Sequence, residues 1–330
     1  MKKILVTGGA GFIGSHLVDE LLSRGNHVIA IDNLINGKVD NLASASENPN
    51  FTFAEIDILE PSALDSICEG VDVIFHLACL GVRHSIHSPY ENHLVNAEGS
   101  LNVLEAARKN KVGKFFYIST SEIYGDIKQF PINEDGVPLP KTVYGSSKLA
   151  GENYAYSYNK CYGLDVTVTR IFNNYGPRAH YEGDAGEIIP RSIVQMLYGK
   201  APIIFGDGSV TRDFFFVKDT ARALSDLMEI KNITAEIINI GTGEEITMKV
   251  LMEQLIEAMG LTGEMKIDFQ EDRPADVPRL WVDPSKFNRI TNFKASVTFS
   301  EGLKETIEYY KNLMTSKDML SEIQVKNWEK

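Results

Sequence analysis

The feature of this chain that most limits its possible folds is the alternation of short apolar runs with longer amphipathic segments through the first 170 residues. The runs are KKILVTG, HVIAID, FTFAEID, VDVIFHLA, KFFYIS and DVTVTRI, and the segments between them include FIGSHLVDELLSRG, NHLVNAEGSLNVLEAARKN and SSKLAGENYAYSYNKC. Runs that are apolar throughout are typical of parallel strands covered on both faces. Their alternation with helices predicts an α/β fold with a doubly wound parallel sheet.

The composition of the sequence changes after about residue 170. Loops rich in Gly, Pro and Asn, such as NNYGPRAHYEGDAGEIIP, FGDGSVTRDF and EDRPADVP, alternate there with short strands and helices. We therefore expect residues 1–170 to form the sheet domain, and residues 171–315 to form mainly a smaller C-terminal α/β lobe with some segments returning to the sheet. Residues 316–330 are expected to form a polar tail or a loosely docked helix.

Charge and apolar content exclude several classes of partner. The 330 residues include 33 basic and 45 acidic side chains, a net charge of −12, and no Lys/Arg block would follow nucleic-acid phosphates. No apolar run reaches the roughly 18 residues that a membrane span needs, and no signal peptide precedes the first strand, so we expect a cytoplasmic protein. The three cysteines are widely spaced, which favours buried, inert thiols over disulfides or a zinc site. The histidines also form no metal-binding pattern, so no metal is expected.

The stretch TGGAGFIG, residues 7–14, directly follows the first strand and opens the first helix. Gly8, Gly11 and Gly14 recur at every third position, which allows a tight turn, a close approach of the backbone to a pyrophosphate, and close helix packing. The N–H groups at the start of the helix, around Phe12 and Ile13, would bind the phosphates. The pattern therefore predicts a Rossmann-type sheet that binds a dinucleotide.

The end of the second strand distinguishes between the two nicotinamide dinucleotides. Asp32, followed by Asn33, stands where a carboxylate would bind the adenosine ribose. Its charge would repel a 2'-phosphate, and the sequence DNLINGK has no arginine to bind one, so NAD is predicted rather than NADP. After the third strand, Asp57 and Ile58 are candidates for contact with the adenine, although for Asp57 capping of the strand end is an equally open interpretation.

A tyrosine and a lysine stand four residues apart in TVYGSSKLAGE, within a segment predicted to be helical. At this spacing Tyr144 and Lys148 lie on one face of a helix. Because an ammonium group favours a nearby phenolate, Lys148 is expected to lower the pKa of Tyr144 and make it a base for a hydroxyl group. The same spacing is common on solvent-exposed helices, and the glycine turn upstream is what favours the catalytic interpretation.

Several motifs follow one another from the first strand to residue 287. They are TGGAGFIG, HLAC at 76–79, STSEIYG at 119–125, YGSSK at 144–148, RIFNNYGPR at 170–178, TRDFFFV at 211–217 and DRPADVPRLWVDPSKF at 272–287. Together they resemble the extended short-chain dehydrogenase/reductases that modify nucleotide sugars with NAD. The resemblance covers nearly the whole chain, and it implies a Rossmann domain, a substrate lobe and assembly as a homodimer.

The resemblance also implies roles for individual residues. Tyr144 would take the proton of the C4 hydroxyl, Thr120 would hydrogen-bond the same hydroxyl, and Lys148 would hold the nicotinamide ribose. Leu77 and Ala78 would line the cofactor, with Asn96 as a structural asparagine nearby. The residues expected to bind a nucleotide sugar, with a UDP-sugar as the first choice, are Asn173, Arg212 and Arg273, with Arg83 and Arg178 as weaker candidates.

The implied reaction oxidises C4 of a hexose and later returns the hydride to the same sugar, and two residues bear on what happens between these steps. Glu122, two residues after Thr120, resembles the glutamate of 4,6-dehydratases and of xylose-forming decarboxylases, because a carboxylate there can remove the C5 proton of the 4-keto sugar. The usual glucose dehydratases have an aspartate at the position of Ser121, and serine is a far weaker acid. Dehydration, which Glu122 favours, C4 epimerisation and decarboxylation stay open, as does a protein that binds NAD without catalysis.

Overall fold

The structure is a computed structural model that describes residues 1–272 and 276–329. Its strands are β1 Lys3–Thr7, β2 His27–Asp32, β3 Phe51–Glu55, β4 Val73–His76, β5 Lys114–Thr120, β6 Val166–Ile171, β7 Asn173–Tyr175, β8 Ile203–Phe205, β9 Thr211–Arg212, β10 Phe214–Phe216, β11 Ile237–Ile240, β12 Ile246–Thr247 and β13 Asp268–Gln270. One sheet has the order β11-β6-β5-β4-β1-β2-β3, and its neighbouring strands are parallel. The predicted doubly wound α/β fold is confirmed, and the six predicted strands all lie in this sheet.

Helices cover both faces of the sheet. They are α1 Phe12–Ser23, α2 Ala43–Ser46, α3 Pro61–Ile67, α4 Val82–His87, α5 Pro89–His93, α6 Ser100–Lys109, α7 Val143–Tyr162, α8 Ile188–Leu197, α9 Val217–Glu229, α10 Met248–Ala258, α11 Ser285–Thr291 and α12 Phe299–Met314, with 3-10 turns at Val39–Leu42, Ser121–Ile123 and Leu320–Glu322 and a π-helical turn at Leu94–Gly99. Apolar side chains of α1 and α9 pack on one face of the sheet, and those of α3 and α6 pack on the other. No helix in the described parts of the chain has the length and apolarity that crossing a membrane requires.

The strand order creates a crevice at one edge of the sheet. The chain runs outward from β1 to β2 and β3, and then returns to place β4 on the opposite side of β1. In open α/β sheets, ligands bind at such a reversal, outside the carboxyl ends of the strands. Thr7, Asp32 and Thr120, the last residues of β1, β2 and β5, are at this edge.

The chain after β6 builds a separate lobe and also contributes to the sheet. The lobe has its own apolar core, formed by α8, α10 and α12, and the short strand pairs β7–β10, β8–β13 and β9–β12. Two segments return to the Rossmann part of the molecule, since β11 pairs with β6 and α9 packs against α1. The crevice therefore lies between the carboxyl end of the sheet and the lobe, and β11 and α9 connect these two parts.

The segment expected to be a polar tail, residues 316–330, is held on the lobe at a few positions, while more than half of its described residues are exposed. Met319 is fully buried, and Asn327 and Trp328 are only 1% and 7% exposed. The Asn327 side chain donates hydrogen bonds to the carbonyl oxygens of Gly183 and Gly186. The segment looks polar in sequence because a few apolar side chains pack on the lobe while its polar groups bond to the backbone of a distant loop.

Candidate active site

The turn between β1 and α1 leaves no room for side chains. Gly8 has a φ of 68°, and a Cβ there would lie 2.8 Å from the Ala78 nitrogen. A Cβ on Gly14 would lie 2.1 Å from the Gly8 carbonyl oxygen. α1 begins after Gly11 without a side-chain cap, so the N–H groups of its first turn point to the cleft that Gly11, Phe12 and Gly14 line. A helix N-terminus whose N–H groups are not capped by a side chain fits a pyrophosphate.

Asp32 marks the next part of the same cleft. Its carboxylate accepts hydrogen bonds from the Ala10 and Leu34 N–H groups at 3.1 and 2.9 Å. Burial raises the pKa of Asp32, and these backbone N–H groups act in the opposite direction. A Cβ on Gly37 would lie 2.5 Å from the Asp32 Oδ1, so the carboxylate sits in a narrow pocket next to backbone. The carboxylate fits the ribose hydroxyls of a dinucleotide, and its charge would repel an added phosphate.

Asp57 lies beside this part of the cleft without lining it. Its carboxylate accepts hydrogen bonds from the Asn33 amide at 2.9 Å and from the Leu59 N–H at 2.8 Å. These contacts favour the capping interpretation over adenine contact. Ile58, the next residue, does line the cleft.

Most of the residues singled out in the sequence share one cleft. Those that line it are Gly8, Gly11, Phe12, Ile13, Gly14, Asp32, Asn33, Ile58, Leu77, Ala78, Arg83, Thr120, Ser121, Glu122, Tyr144, Lys148, Asn173 and Arg212. Asp57, Asn96 and Arg178 do not line it, and Arg273 lies outside the described residues. Residues from both parts of the chain therefore face the same space.

The sequence places Thr120, Tyr144 and Lys148 on two elements that pack together. Thr120 ends β5, and α7 begins after Thr142, whose hydroxyl accepts a hydrogen bond from the Gly145 N–H at 3.1 Å and fixes the first turn. Lys148 follows one turn later and is only 2% exposed. Its Nζ lies 4.4 Å from the ring centroid of Tyr117 in β5. This cation–π contact holds the ammonium group at the cleft without neutralising it.

The electrostatics of Tyr144 differ from the expectation. Burial raises the pKa of Tyr144 well above its usual value, and the nearby Cys79 raises it further, while a hydrogen bond with Thr120 lowers it. The pKa of this phenol is thus raised in the protein alone, against the prediction of a lowered value, because burial is the largest cause. Positive charge from a ligand in the cleft would lower it again.

Ser121 and Glu122 lie in the short turn that follows β5. Thr120 caps this turn, since its hydroxyl accepts a hydrogen bond from the Glu122 N–H at 3.2 Å. Ser121 is 3% exposed, and Glu122 is partly exposed to the cleft. Glu122 also raises the pKa of Tyr144, which shows that the carboxylate and the phenol share one electrostatic environment. The cleft thus contains a carboxylate next to the proposed base.

Asn96 acts behind the cleft, in the π-helical turn. Its side chain accepts a hydrogen bond from the Leu80 N–H at 2.8 Å and donates to the Leu80 carbonyl oxygen at 2.9 Å. It also donates to the Ser147 hydroxyl at 3.2 Å, one residue before Lys148 in α7. Asn96 therefore joins the loop after β4 to the helix that carries the tyrosine and the lysine, and it supports the cofactor cleft without facing it.

The lobe contributes Asn173 and Arg212 to the cleft, and α4 of the Rossmann part contributes Arg83. Arg83, in α4, forms an ion pair with Glu187 of the lobe at 3.4 Å. The Asn173 Oδ1 is buried and has no hydrogen-bond partner among the described residues, which is typical of a site shaped for a ligand. Arg212 donates to the Asp276 carboxylate at 2.7 Å and remains at the cleft.

Arg178, expected as a weaker substrate candidate, points elsewhere. Its guanidinium forms an ion pair with Asp19 of α1 at 2.7 Å, and its backbone has a φ of 65°. The side chain of Arg178 is thereby engaged with α1. The arginine links the lobe to the Rossmann domain and does not reach the cleft.

The sequence did not indicate that residues 180–187, the 180–187 loop, would line the cleft. Four of its residues line the cleft: His180, Asp184, Ala185 and Glu187. Glu182 pairs with Lys38 at 2.6 Å, and Asp184 meets the His87 Nε2 at 2.8 Å. The loop thus crosses from the lobe to the Rossmann domain over the cleft. The alternating glycine and acidic residues of HYEGDAGE were the available signal, but they predict a turn more readily than a bridge.

The expected buried, inert cysteines are only partly found. Cys68 is buried, and burial raises the pKa of its thiol to about 12. Cys161 is exposed, and Cys79 lines the cleft near Tyr144. HLAC places Cys79 just after β4, and the carboxyl end of a parallel strand is where a cleft residue would be expected.

Comparisons with known proteins agree with this arrangement. Residues 5–306 match the family model described as GDP-mannose 4,6 dehydratase. A putative UDP-glucose 4-epimerase of Methanocaldococcus jannaschii is 37% identical over 312 residues, 94% of this chain and 98% of that protein.

Two solved structures are also similar. The UDP-glucose 4-epimerase of Thermotoga maritima, determined with UDP-glucose, has a TM-score of 0.89 and 36% identity, covering 94% of this chain and 99% of that one. The dTDP-glucose 4,6-dehydratase DesIV of Streptomyces venezuelae, determined with NAD bound, has a TM-score of 0.88 and 31% identity, covering 94% of this chain and 97% of that one. The chain therefore belongs to the GDP-mannose 4,6-dehydratase family, within the extended short-chain dehydrogenase/reductases that comprise NAD-dependent nucleotide-sugar epimerases and dehydratases.

Proposed function

We propose that this protein binds NAD and a nucleotide sugar in the cleft, oxidises the sugar at C4, and carries out 4,6-dehydration. The observation that carries the proposal is that Glu122 lines the same cleft as Thr120, Tyr144 and Lys148. C4 oxidation needs only the last three residues. A carboxylate beside them supplies a base for a second proton, the one at C5.

The residues on the Rossmann side fit NAD. When bound, NAD accepts the hydride from C4, returns a hydride to the sugar later, and adds the positive charge of its nicotinamide ring. The helix N-terminus beyond Gly11 binds the pyrophosphate, and Asp32 binds the adenosine ribose. The negative charge of Asp32 disfavours a 2'-phosphate at this position.

The first proton is that of the C4 hydroxyl, and Tyr144 takes it. Burial keeps the pKa of Tyr144 high, so the phenol loses its proton only when positive charge lies close to it. Lys148, held against Tyr117, contributes one such charge from the side of α7. Thr120, hydrogen-bonded to Tyr144, orients the phenol and the substrate hydroxyl.

The second proton is at C5 of the resulting 4-keto sugar, where the ketone makes it acidic. Glu122 takes this proton, and the C6 hydroxyl leaves with a proton as water, forming a C5–C6 double bond. Because Ser121 is a poor acid, Glu122 itself is the group that can return the proton to the leaving hydroxyl. The hydride taken from C4 is then returned at C6, and C5 receives a proton from solvent, so the net change is the loss of one water.

A second candidate function, C4 epimerisation, is favoured by one specific observation. The position where the usual glucose dehydratases have an aspartate is occupied by Ser121, which is 3% exposed and provides only a hydroxyl group. One similar protein is a putative UDP-glucose 4-epimerase. One similar solved structure is that of a UDP-glucose 4-epimerase. In that case the keto sugar would rotate in the cleft and receive the hydride on its opposite face, and Glu122 would take part in no chemical step.

The deciding experiment is mass spectrometry of products formed from a panel of nucleotide sugars, UDP-sugars first, in heavy water without added NAD. Dehydration predicts the loss of one water and deuterium at C5. Epimerisation predicts an isomer of unchanged mass without solvent deuterium, and loss of carbon dioxide from a uronic acid would indicate decarboxylation. The variant Glu122→Gln should abolish dehydration but leave C4 oxidation measurable as reduced cofactor, whereas Glu105→Gln, a change of a carboxylate outside the cleft lining, should leave C5 chemistry intact. Turnover that survives Glu122→Gln would refute the dehydratase proposal.

We also propose that the protein assembles as a homodimer through α7. This helix exposes Tyr156 and Tyr162 to the extent of 55% and 59%, which leaves two aromatic side chains available for a contact with a second subunit. Light scattering after size exclusion would test it. The variants Tyr156→Glu and Tyr162→Glu should shift a dimer towards the monomer, and a wild-type protein of monomer mass would refute the proposal.

A further inference from the structure

The cleft continues into a second cavity within the C-terminal lobe. The residues that line both spaces are Arg83, Asn173, Asn174, Glu187 and Arg212. Beyond this junction, the residues lining the second cavity include Gln195, Phe205, Val210, Phe214 and Trp328. The junction is polar and basic, whereas the far end is largely aromatic and apolar. A ligand with its diphosphate at the junction would therefore extend its next group into an aromatic cavity.

Trp328 forms one wall of this second cavity. It is only 7% exposed, and its ring meets that of Phe205 edge to face, with a centroid separation of 4.7 Å and an interplanar angle of 81°. Edge-to-face contact orients two aromatic rings nearly at right angles, so that a planar heterocycle can stack on one and meet the edge of the other. Gln195, on α8, adds an amide that can hydrogen-bond the edge of such a heterocycle.

The segment that carries Trp328, residues 318–329, is firmly attached to the lobe. Arg191 of α8 donates to the carbonyl oxygens of Gln324 and Val325 at 2.7 and 2.8 Å. Asn327 donates to the carbonyl oxygens of Gly183 and Gly186 at 3.2 and 3.1 Å. The segment and the 180–187 loop, which lines the cleft, therefore hold each other in place.

This segment also lies beyond the shared architecture of the family, because the family match ends at residue 306. We propose that two residues of this segment belong to the substrate site: Trp328 contacts the base of a nucleoside diphosphate sugar, and Asn327 is a positioning residue that holds the 180–187 loop. The inference rests on the proposed function, since it takes the diphosphate to lie at the basic junction. It adds a contact to the nucleobase that the family motifs do not contain.

Trp328 can report on its own ligand. The chain has two tryptophans, so in the variant Trp281→Phe the tryptophan emission comes from Trp328 alone. Titration of this variant with UDP, dTDP, CDP and GDP is expected to give a saturable change in emission with at least one of them. Pyrophosphate alone and NAD should give none, because the first has no base and the second has its adenine at the Asp32 end of the cleft.

Four further variants separate direct contact with the base from structural support. Calorimetry measures the binding of nucleoside diphosphate to the first three, and kinetics test the fourth. Trp328→Ala is expected to weaken nucleoside diphosphate binding by roughly tenfold, the effect of losing one stacked base, and Trp328→Phe should restore most of it. Val325→Ala is the matched control, because its side chain is 44% exposed and the segment uses only its carbonyl group. NAD affinity should be the same in all of them, and Asn327→Ala should raise KM for the nucleotide sugar more than it lowers kcat.

The inference is overturned if nucleoside diphosphate binds as tightly to Trp328→Ala as to the wild type, or if it binds while the emission of Trp328 stays unchanged. A loss of NAD and nucleoside diphosphate binding together in Trp328→Ala would also overturn it, since that pattern indicates general damage to the fold. If the wild type binds none of the four nucleoside diphosphates, the proposed function fails as well. The two proposals are thus refuted by different results.

Discussion

Replacing Glu152 by alanine is expected to destabilise the protein by about 3–5 kcal/mol. Glu152 lies one turn after Lys148 in α7, and it pairs with Arg170 of β6; the two side chains are 4% and 3% exposed. Three hydrogen bonds of 3.1, 3.3 and 2.8 Å join the guanidinium to the carboxylate. Without Glu152, the buried Arg170 keeps only the neutral hydroxyl of Tyr124, at 2.9 Å, as a partner on that side. The native state then bears the desolvation cost of an unbalanced charge, which the unfolded chain avoids.

The loss can be measured by thermal unfolding against an exposed pair as the control. An unfolding entropy of about 2.1 cal/mol/K per residue gives roughly 0.7 kcal/mol/K for 330 residues, so the Tm of Glu152→Ala should fall by roughly 4–7 °C. Glu105 and Arg108 form an equally short ion pair at 2.6 Å, but these side chains are 34% and 39% exposed. Because solvent screens that pair, Glu105→Ala should leave the Tm nearly unchanged. Equal losses in the two variants would refute the argument that burial determines the cost.

The double variant Glu152→Met, Arg170→Met tests the same reasoning from the other side. Replacing a buried ion pair by apolar residues of similar volume is often neutral, so the double variant should recover most of the stability lost in Glu152→Ala. A double variant no more stable than Glu152→Ala would mean that the loss comes from Tyr124, whose hydroxyl also donates to Asn239 at 2.8 Å, and not from the uncompensated charge.

Three further predictions concern the cleft and its surroundings. Tyr144→Phe should lower kcat for C4 oxidation by at least about 100-fold while leaving the Tm unchanged, and an active variant would remove Tyr144 from the mechanism. Gly14→Ala would place a methyl group 2.1 Å from the Gly8 carbonyl oxygen, so calorimetry should find NAD binding lost; unchanged affinity would contradict the close turn. Burial, aided by Arg178, lowers the pKa of His16 to about 3. Below the usual histidine pKa, His16 is therefore protonated in the unfolded chain but neutral in the native protein. Stability should therefore fall by about 3 kcal/mol between roughly pH 6.5 and pH 4, and urea unfolding of His16→Gln should show a smaller fall over this range.

The parts of the site that the sequence predicted are those determined by neighbouring residues. Gly8, Gly11 and Gly14 lie within one turn, and Tyr144 and Lys148 lie four residues apart on a helix. In both cases the backbone geometry follows from the local pattern, and so does the direction of the side chains. The same reasoning predicted the parallel strands, because apolar runs without alternation require cover on both faces.

The parts that the sequence did not predict depend on contacts between distant residues. Asn327 and Gly186 are 141 positions apart, and nothing in QVKNWE indicates which carbonyl groups its asparagine will reach. Arg178 shows a related limit: the motif YGPR has the same letters whether the arginine faces the cleft or Asp19, and its partner Asp19 is 159 positions away in the sequence.

The raised pKa of Tyr144 connects the fold of the cleft with the order of the chemistry. A pattern of residues predicts that a lysine is near a tyrosine, but it does not predict how much water the fold removes from the phenol. Here the 180–187 loop crosses the cleft, held by Glu182 on Lys38 and by Asp184 on His87, and encloses the space that Tyr144 faces. Burial of the enclosed phenol raises its pKa in the protein alone, and a ligand that brings positive charge into the cleft would act in the opposite direction. Under the proposed function, removal of the C4 proton by Tyr144 would therefore be favoured when the cofactor fills the cleft.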